Sequence, residues 1–201
     1  MTNPFFTNRG PFLIETLLEI SKINNLHNHS KVEITDIKDL LTAKKNTITF
    51  FHSKKYENLS LKTKASFCVT TKNLSHLIAP TCKPIIVENV LIAVAEITKV
   101  FYPDAVTDDF DQTVEYIEKS SFNKKVNYGK NVLIGDGVQI GDNCSIGHNS
   151  IIENNVIIGD NCSIGSNVII RNSLINNNVS ILDGCVIGKK GFGFFPNKEK
   201  N

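Results

Sequence analysis

The sequence predicts a left-handed parallel β-helix built from hexapeptide repeats, preceded by a small α/β domain. Two observations predict it. A six-residue beat runs from Val126 almost to the C-terminus, as in Val132-Leu-Ile-Gly-Asp-Gly, Val138-Gln-Ile-Gly-Asp-Asn and Cys144-Ser-Ile-Gly-His-Asn. Glycine and proline are also segregated. Eleven of the twelve glycines follow residue 128, and five of the six prolines precede residue 104. The division falls in residues 118–125, a polar connector apart from Phe122, which gives domains 1–122 and 123–201.

In the first domain, residues 12–20 place apolar side chains on a helical period. Residues 34–41 read as a turn into a short helical or extended piece. Residues 47–51, Thr-Ile-Thr-Phe-Phe, are β-branched and aromatic and read as a strand. Residues 65–71 and 84–87 are two more strand candidates. Residues 88–100 return to helical spacing, and Pro103 stops that helix.

In the second domain the small inward positions run from Val126 through Cys144, Ser150 and Cys162 to Val168. After a one-residue contraction they resume at Ser173, Val179 and Cys185. The second inward position starts at Tyr128 and is isoleucine thereafter, from Ile134 to Ile187. Eleven such rungs, three to a triangular coil, make a little under four coils. Isoleucine columns suit stacked short strands. Glycine follows the second inward residue in seven rungs, where the reading expects sharp corners. Outward Leu133, Ile157, Ile169 and Leu174 are candidate contact faces between prisms.

Composition excludes several classes of function. Lys plus Arg is 22 and Asp plus Glu is 20, so a net charge of +2 gives no electrostatic case for nucleic acid. No apolar run is long enough to span a bilayer, and the N-terminus lacks the pattern of a signal peptide. The repeat contains no threonine, which argues against an ice-binding face. The five cysteines, Cys68, Cys82, Cys144, Cys162 and Cys185, read as small buried side chains in a cytosolic protein. None of His27, His29, His52 or His76 has ligand spacing, so no metal is expected.

Three segments carry a family resemblance: Lys45 to Tyr56 with its Ile-Thr-Phe-Phe core, Pro84 to Ala95, and Gly188-Lys-Lys-Gly-Phe-Gly-Phe194. Together, in that order, they resemble the N-terminal two-thirds of the bacterial UDP-3-O-acylglucosamine N-acyltransferases of lipid A biosynthesis. The resemblance covers residues 30–195. It implies a uridine-binding first domain in which Phe50 and Tyr56 flank the base, with Ser53 where the family commonly has asparagine. It implies acyl carrier protein and UDP-3-O-acylglucosamine as partners, no cofactor, a homotrimer and a cytoplasmic location. The family's catalytic histidine lies beyond residue 201, so no catalytic residue is assigned here. His148 imitates the family's Ile-Ala-His-Asn sequence but precedes the Gly-Phe-Gly loop, and its phase is a corner. The chain is therefore expected to be a truncated or split form, inactive alone and poorly soluble, with Phe192, Phe194 and Phe195 short of packing partners. The alternatives are a remnant that only binds a uridine nucleotide sugar, or another hexapeptide acyltransferase.

Overall fold

A computed structural model describes residues 4–23, 31–107, 109–117 and 125–191. His27, His29, most of the expected connector and Phe192 onward lie outside the described residues. The chain divides into two compact units, one spanning Phe6–Thr107 and the other holding the described residues from 109 to 191.

The first unit contains β1 (Phe12–Leu13), α1 (Ile14–Ile20), β2 (Glu33–Ile34), β3 (Asp36–Ile37), β4 (Thr47–Phe51), α2 (Glu57–Ser60), β5 (Phe67–Thr70), β6 (Lys83–Ile86) and α3 (Val90–Phe101). Strands β3 to β6 form one parallel sheet in sequence order. Both faces of that sheet are covered, which is why β4 and β5 read as nearly continuous apolar runs. Ile48, Val69 and Ile85 pack with Leu17 of α1 and with Ile97 and Phe101 of α3. Phe51 and Cys68 point the other way, into a cluster with Ala65, Ile78 and Cys82. The Asn89 side chain caps α3 by accepting from the Ile92 amide at 3.2 Å. The helix ends two residues before Pro103. Residues 33–37 are extended rather than helical. The backbone explains this: the Thr35 amide donates to Asn46 at 2.8 Å and the Lys38 amide to Ile48 at 2.9 Å, which zips the segment onto β4.

The second unit is a left-handed parallel β-helix. Its strands are β7 (Glu115–Tyr116), β8 (Asn127–Tyr128), β9 (Leu133–Ile134), β10 (Gln139–Ile140), β11 (Ser145–Ile146), β12 (Ile151–Ile152), β13 (Ile157–Ile158), β14 (Ser163–Ile164), β15 (Ile169–Ile170), β16 (Leu174–Ile175), β17 (Ser180–Ile181) and β18 (Val186–Ile187). Three faces stack as β8-β11-β14-β17, β9-β12-β15-β18 and β10-β13-β16. Ile152 pairs with Ile170 one coil on, whereas Ile158 pairs with Ile175, so the contraction is absorbed at the corner between β15 and β16. Ile152, Val156 and Ile170 are fully buried in the column interior. The buried Ser150 hydroxyl donates to Gly165 at 2.8 Å and accepts from the Val168 amide at 3.1 Å, so the polar atom is satisfied.

Glycine and asparagine divide the corner work differently from the sequence expectation. The left-handed backbone belongs to eight prism asparagines, among them Asn131, Asn149 and Asn167, with φ from +48° to +61°. Most glycines that follow an inward isoleucine do not take that conformation. They permit close approach between coils: a Cβ at Gly147 would lie 2.5 Å from backbone atoms of Gly165 and Ser166. The residue after most of these glycines then bonds to the coil above. The Asp142 amide donates to Asp160 Oδ1 at 2.8 Å, and the Ser166 amide to Asp183 Oδ1 at 2.6 Å.

Strand β7 runs antiparallel to β9 and covers the first edge of that face. Its approach supplies two corner acceptors. Thr113 Oγ1 accepts from the Asp136 amide at 2.9 Å, and Asp111 Oδ2 from the Asn154 amide at 2.7 Å. Among the described residues no helix is long and apolar enough to cross a membrane.

Candidate functional site

The site grows from the end of β4. Side chains two apart share a face of a strand, so Phe50 and His52 lie together and Phe51 opposes them. Phe50 is half-buried against the α1–α3 cluster, and Phe51 is fully buried on the other side. Beyond the strand Ser53 stays extended, with φ −147°, and its Oγ accepts from the Lys55 amide at 3.4 Å. That cap starts a single 3-10 turn over Lys54–Tyr56. The turn folds Tyr56 back toward the strand end.

Three rings result, in the order Phe50, His52, Tyr56. The Phe50 and His52 centroids are 6.2 Å apart at an interplanar angle of 27°. Those of His52 and Tyr56 are 5.7 Å apart at 45°. The Lys55 ammonium lies 5.9 Å from the Tyr56 ring centroid. Tyr56 is 39% exposed and His52 is exposed, so the run opens to solvent at one side. Sequence reasoning named Phe50, Ser53 and Tyr56, and all three lie at this strand end. It missed His52 as a member. The available signal was its place two residues after Phe50 on a strand. A run of rings offers π-faces to a planar base, and a lysine beside it favours an anionic ligand.

Other titratable side chains have structural occupations. His148 Nδ1 accepts from the Lys130 amide at 2.8 Å, and its own amide donates to Ser166 Oγ at 3.2 Å. It is thus one step of the corner ladder, in the position that Asp160 and Asn177 hold elsewhere. Tyr102 donates its hydroxyl to Asp36 Oδ1 at 2.7 Å. Burial and that carboxylate push it up to about 12. Cys68 shares the buried cluster with Cys82, and hydrogen bonding to Cys82 together with burial pushes its thiol up. Burial raises Cys144 as well. Glu153 and Arg171, stacked one coil apart, form a mostly buried ion pair at 2.6 Å. Among the described residues no group of three His, Cys, Asp or Glu side chains could hold a metal ion.

Residues 31–100 match the family model of UDP-3-O-(3-hydroxymyristoyl) glucosamine N-acyltransferase, LpxD. Residues 129–157 and 137–172 match the bacterial transferase hexapeptide repeat. A curated UDP-3-O-acylglucosamine N-acyltransferase of Rickettsia canadensis (strain McKiel) is 32% identical over 102 residues, 49% of this chain. The match spans 29% of that relative's length. Residues 31–100 of the first unit are therefore similar to the domain that this family's model describes, and the second unit carries hexapeptide repeats of the bacterial transferase type.

Proposed function

We propose that this chain carries the nucleotide-recognition and prism parts of an acyl-carrier-protein-dependent N-acyltransferase. The whole enzyme moves a 3-hydroxyacyl group from acyl carrier protein to the 2-amine of UDP-3-O-acylglucosamine, in the lipid A pathway of the cytoplasm. The observation that carries the reading is the Phe50–His52–Tyr56 run at the carboxyl end of β4, inside the segment that matches the family model.

Uracil binds by stacking between Phe50 and Tyr56. A base there takes the place that the imidazole of His52 now holds, and that exposed side chain can turn outward. Ser53 offers a hydroxyl proton to the edge of the base while its oxygen keeps the cap on Lys55. Stacking on one ring supplies about 1–3 kcal/mol. The acyl step itself joins the sugar amine to the thioester carbon, expels the carrier thiol and removes one proton from the amine. His148 is not assigned that proton, because its Nδ1 is engaged with the Lys130 amide.

Assembly into a homotrimer is supported by the outward column Leu133, Ile151, Ile169 and Val186 on one face, extended by Tyr116 of β7. Val186 is 49% and Tyr116 70% exposed in the single chain.

Calorimetric titration with UDP tests the reading. Tyr56 is the cleaner ring to remove, since Phe50 also packs in the core. Tyr56→Ala should weaken UDP by about 5- to 100-fold, one stack's worth, and Tyr56→Phe should retain binding. Equal affinity in wild type and Tyr56→Ala would refute the base site.

A further inference from the structure

Charge is spread unevenly along this chain. Residues 38–82, from the end of β3 to the start of β6, hold eight lysines, no arginine and two acidic residues, a net +6. The rest of the chain holds 14 basic and 18 acidic side chains, a net −4. The overall +2 conceals that division.

The fold gathers the lysines on one side of the parallel sheet. Helices α1 and α3 cover one face. The segments that join β3 to β4, β4 to β5 and β5 to β6 cover the other, through Leu40, Ala43, Ala65, Ile78 and Cys82. Lys44 and Lys45 lie in the turn before β4, and Lys62 and Lys64 precede β5. The two approaches run side by side, because the Asn46 amide donates to Ser66 Oγ at 2.8 Å. This is the amino end of the sheet. The ring run lies at the carboxyl end of β4, about 16 Å away along five strand residues. All four lysines are exposed, and none makes an ion pair among the described residues.

Large apolar side chains stand among them. Leu41 is 76% exposed, although nearby Leu40 and Ala43 are buried in the cluster beneath. Asp39 Oδ1 fixes that turn by accepting from the Leu41 and Thr42 amides at 2.8 and 2.9 Å. Leu59 and Leu61 are also exposed. Their turn is tied to the same layer, since the buried Ser60 hydroxyl donates to Leu77 at 2.6 Å.

This mixture selects a partner. Lysine is a point charge and lacks the planar fork with which arginine grips a phosphate or carboxylate in fixed geometry. Eight lysines without arginine suit a diffuse anionic surface. Leucines between them suit a surface with an apolar layer beneath its charge. A nucleic-acid duplex offers the charge but no such layer to Leu41. We infer that this face docks reversibly on anionic lipid bilayers. Lys44, Lys45, Lys62 and Lys64 lie at headgroup level, and Leu41 enters the boundary of the acyl chains.

Flotation of the full chain with vesicles tests this. The vesicles are phosphatidylcholine alone, or an equimolar mixture with phosphatidylglycerol. Wild type should float with the mixed vesicles, not with the neutral ones, and added salt should release it. Each lysine near such a surface strengthens binding about fivefold. Lys44→Gln with Lys45→Gln should therefore weaken binding by about 25-fold, as should Lys62→Gln with Lys64→Gln, and all four together by more than about 100-fold. The two pairs keep the test available if the fourfold variant loses its native circular dichroism. Leu41→Ser should weaken binding by about fourfold for each methylene it withdraws from the apolar layer. Overturning results are no wild-type flotation with mixed vesicles, equal flotation with neutral ones, or wild-type behaviour in both lysine pairs or in Leu41→Ser. A DNA duplex that strips the protein from vesicles and binds Leu41→Ser as tightly as wild type would assign the face to nucleic acid instead.

Discussion

Replacing Gly147 by alanine tests whether glycine in the prism is a spacing residue or a turning residue. The new Cβ would lie 2.5 Å from the Gly165 carbonyl carbon and the Ser166 nitrogen, and 2.6 Å from the Gly165 oxygen. Comfortable carbon contacts begin near about 3.5 Å. The two coils must therefore separate locally by about 1 Å. All three obstacles are backbone atoms of the adjacent coil, so no side chain can turn away. The separation stretches the bond from the Gly147 amide to Ile164, now 2.8 Å, and the bond from the His148 amide to Ser166, now 3.2 Å. Overpacking of this kind costs about 1–3 kcal/mol, and a weakened hydrogen bond adds about 1 kcal/mol. Gly184 is the control. Its φ is +74°, and a Cβ there meets nothing within 4 Å. Alanine at Gly184 costs only the left-handed backbone, about 1–2 kcal/mol. Asparagine should cost still less, since Asn178 holds φ +61° in the same prism. The chain has two compact units, so the readout must be local. Hydrogen exchange on peptides spanning residues 140–190 reports the opening free energy of the coils that carry each substitution. The expected order of destabilisation is Gly147→Ala, then Gly184→Ala, then Gly184→Asn. If Gly147→Ala and Gly184→Ala lose equal protection, close approach is not what glycine provides.

Two further outcomes are expected. Tyr102 is raised above its unfolded value of about 10, so its contribution to stability is complete below pH 10 and fades as pH rises towards about 12. Ultraviolet titration should show one of the four tyrosines ionising last. That late step should vanish in Tyr102→Phe, and a Tyr102→Phe titration superimposing on wild type would refute the Asp36 contact. At His148, asparagine should preserve the corner, as Asn177 Oδ1 accepts from the Asp160 amide at 2.9 Å, whereas leucine should cost about 0.5–1.5 kcal/mol. Unchanged exchange of the Lys130 amide in His148→Leu would show that the imidazole supports nothing there.

The prism was legible because its rule is local. Each regular rung repeats six residues on, inward isoleucines meet 18 residues later before the contraction and 17 across it, and the contraction before Ser173 shows as a skipped beat. What stayed illegible is long-range. Residues 109–117 carry no hexapeptide signal, and nothing in their sequence says that β7 pairs antiparallel with β9. Asp111 and Thr113 look like ordinary loop residues until the corners at Asn154 and Asp136 are seen to need acceptors. The separate roles of glycine and asparagine also depend on coil spacing, which no single rung contains. In the first unit the strands β4, β5 and β6 were legible from β-branched and aromatic runs. For residues 34–41 the sequence left a short helix and an extended piece both open, and the pairing of Asp36 and Ile37 with β4 decides for the extended form.

The candidate site divides along the same line. Phe50, Ser53 and Tyr56 sit within seven residues, and a strand followed by one turn is enough to gather them. Val69 beside Phe50, and Ile85 beside Val69, arrive there only through two parallel crossovers and a particular register. Because alternate residues of a strand face opposite ways, a one-residue slip of β5 against β4 would take Val69 off the face that Phe50 shares and put Cys68 or Thr70 there. The layout of this edge therefore depends on the buried partners that pin the register, Ile48 with Phe67 and Val69 with Ile85. A cavity-forming change such as Ile85→Ala acts on this strand edge through that register, and no motif at the ring run would reveal it.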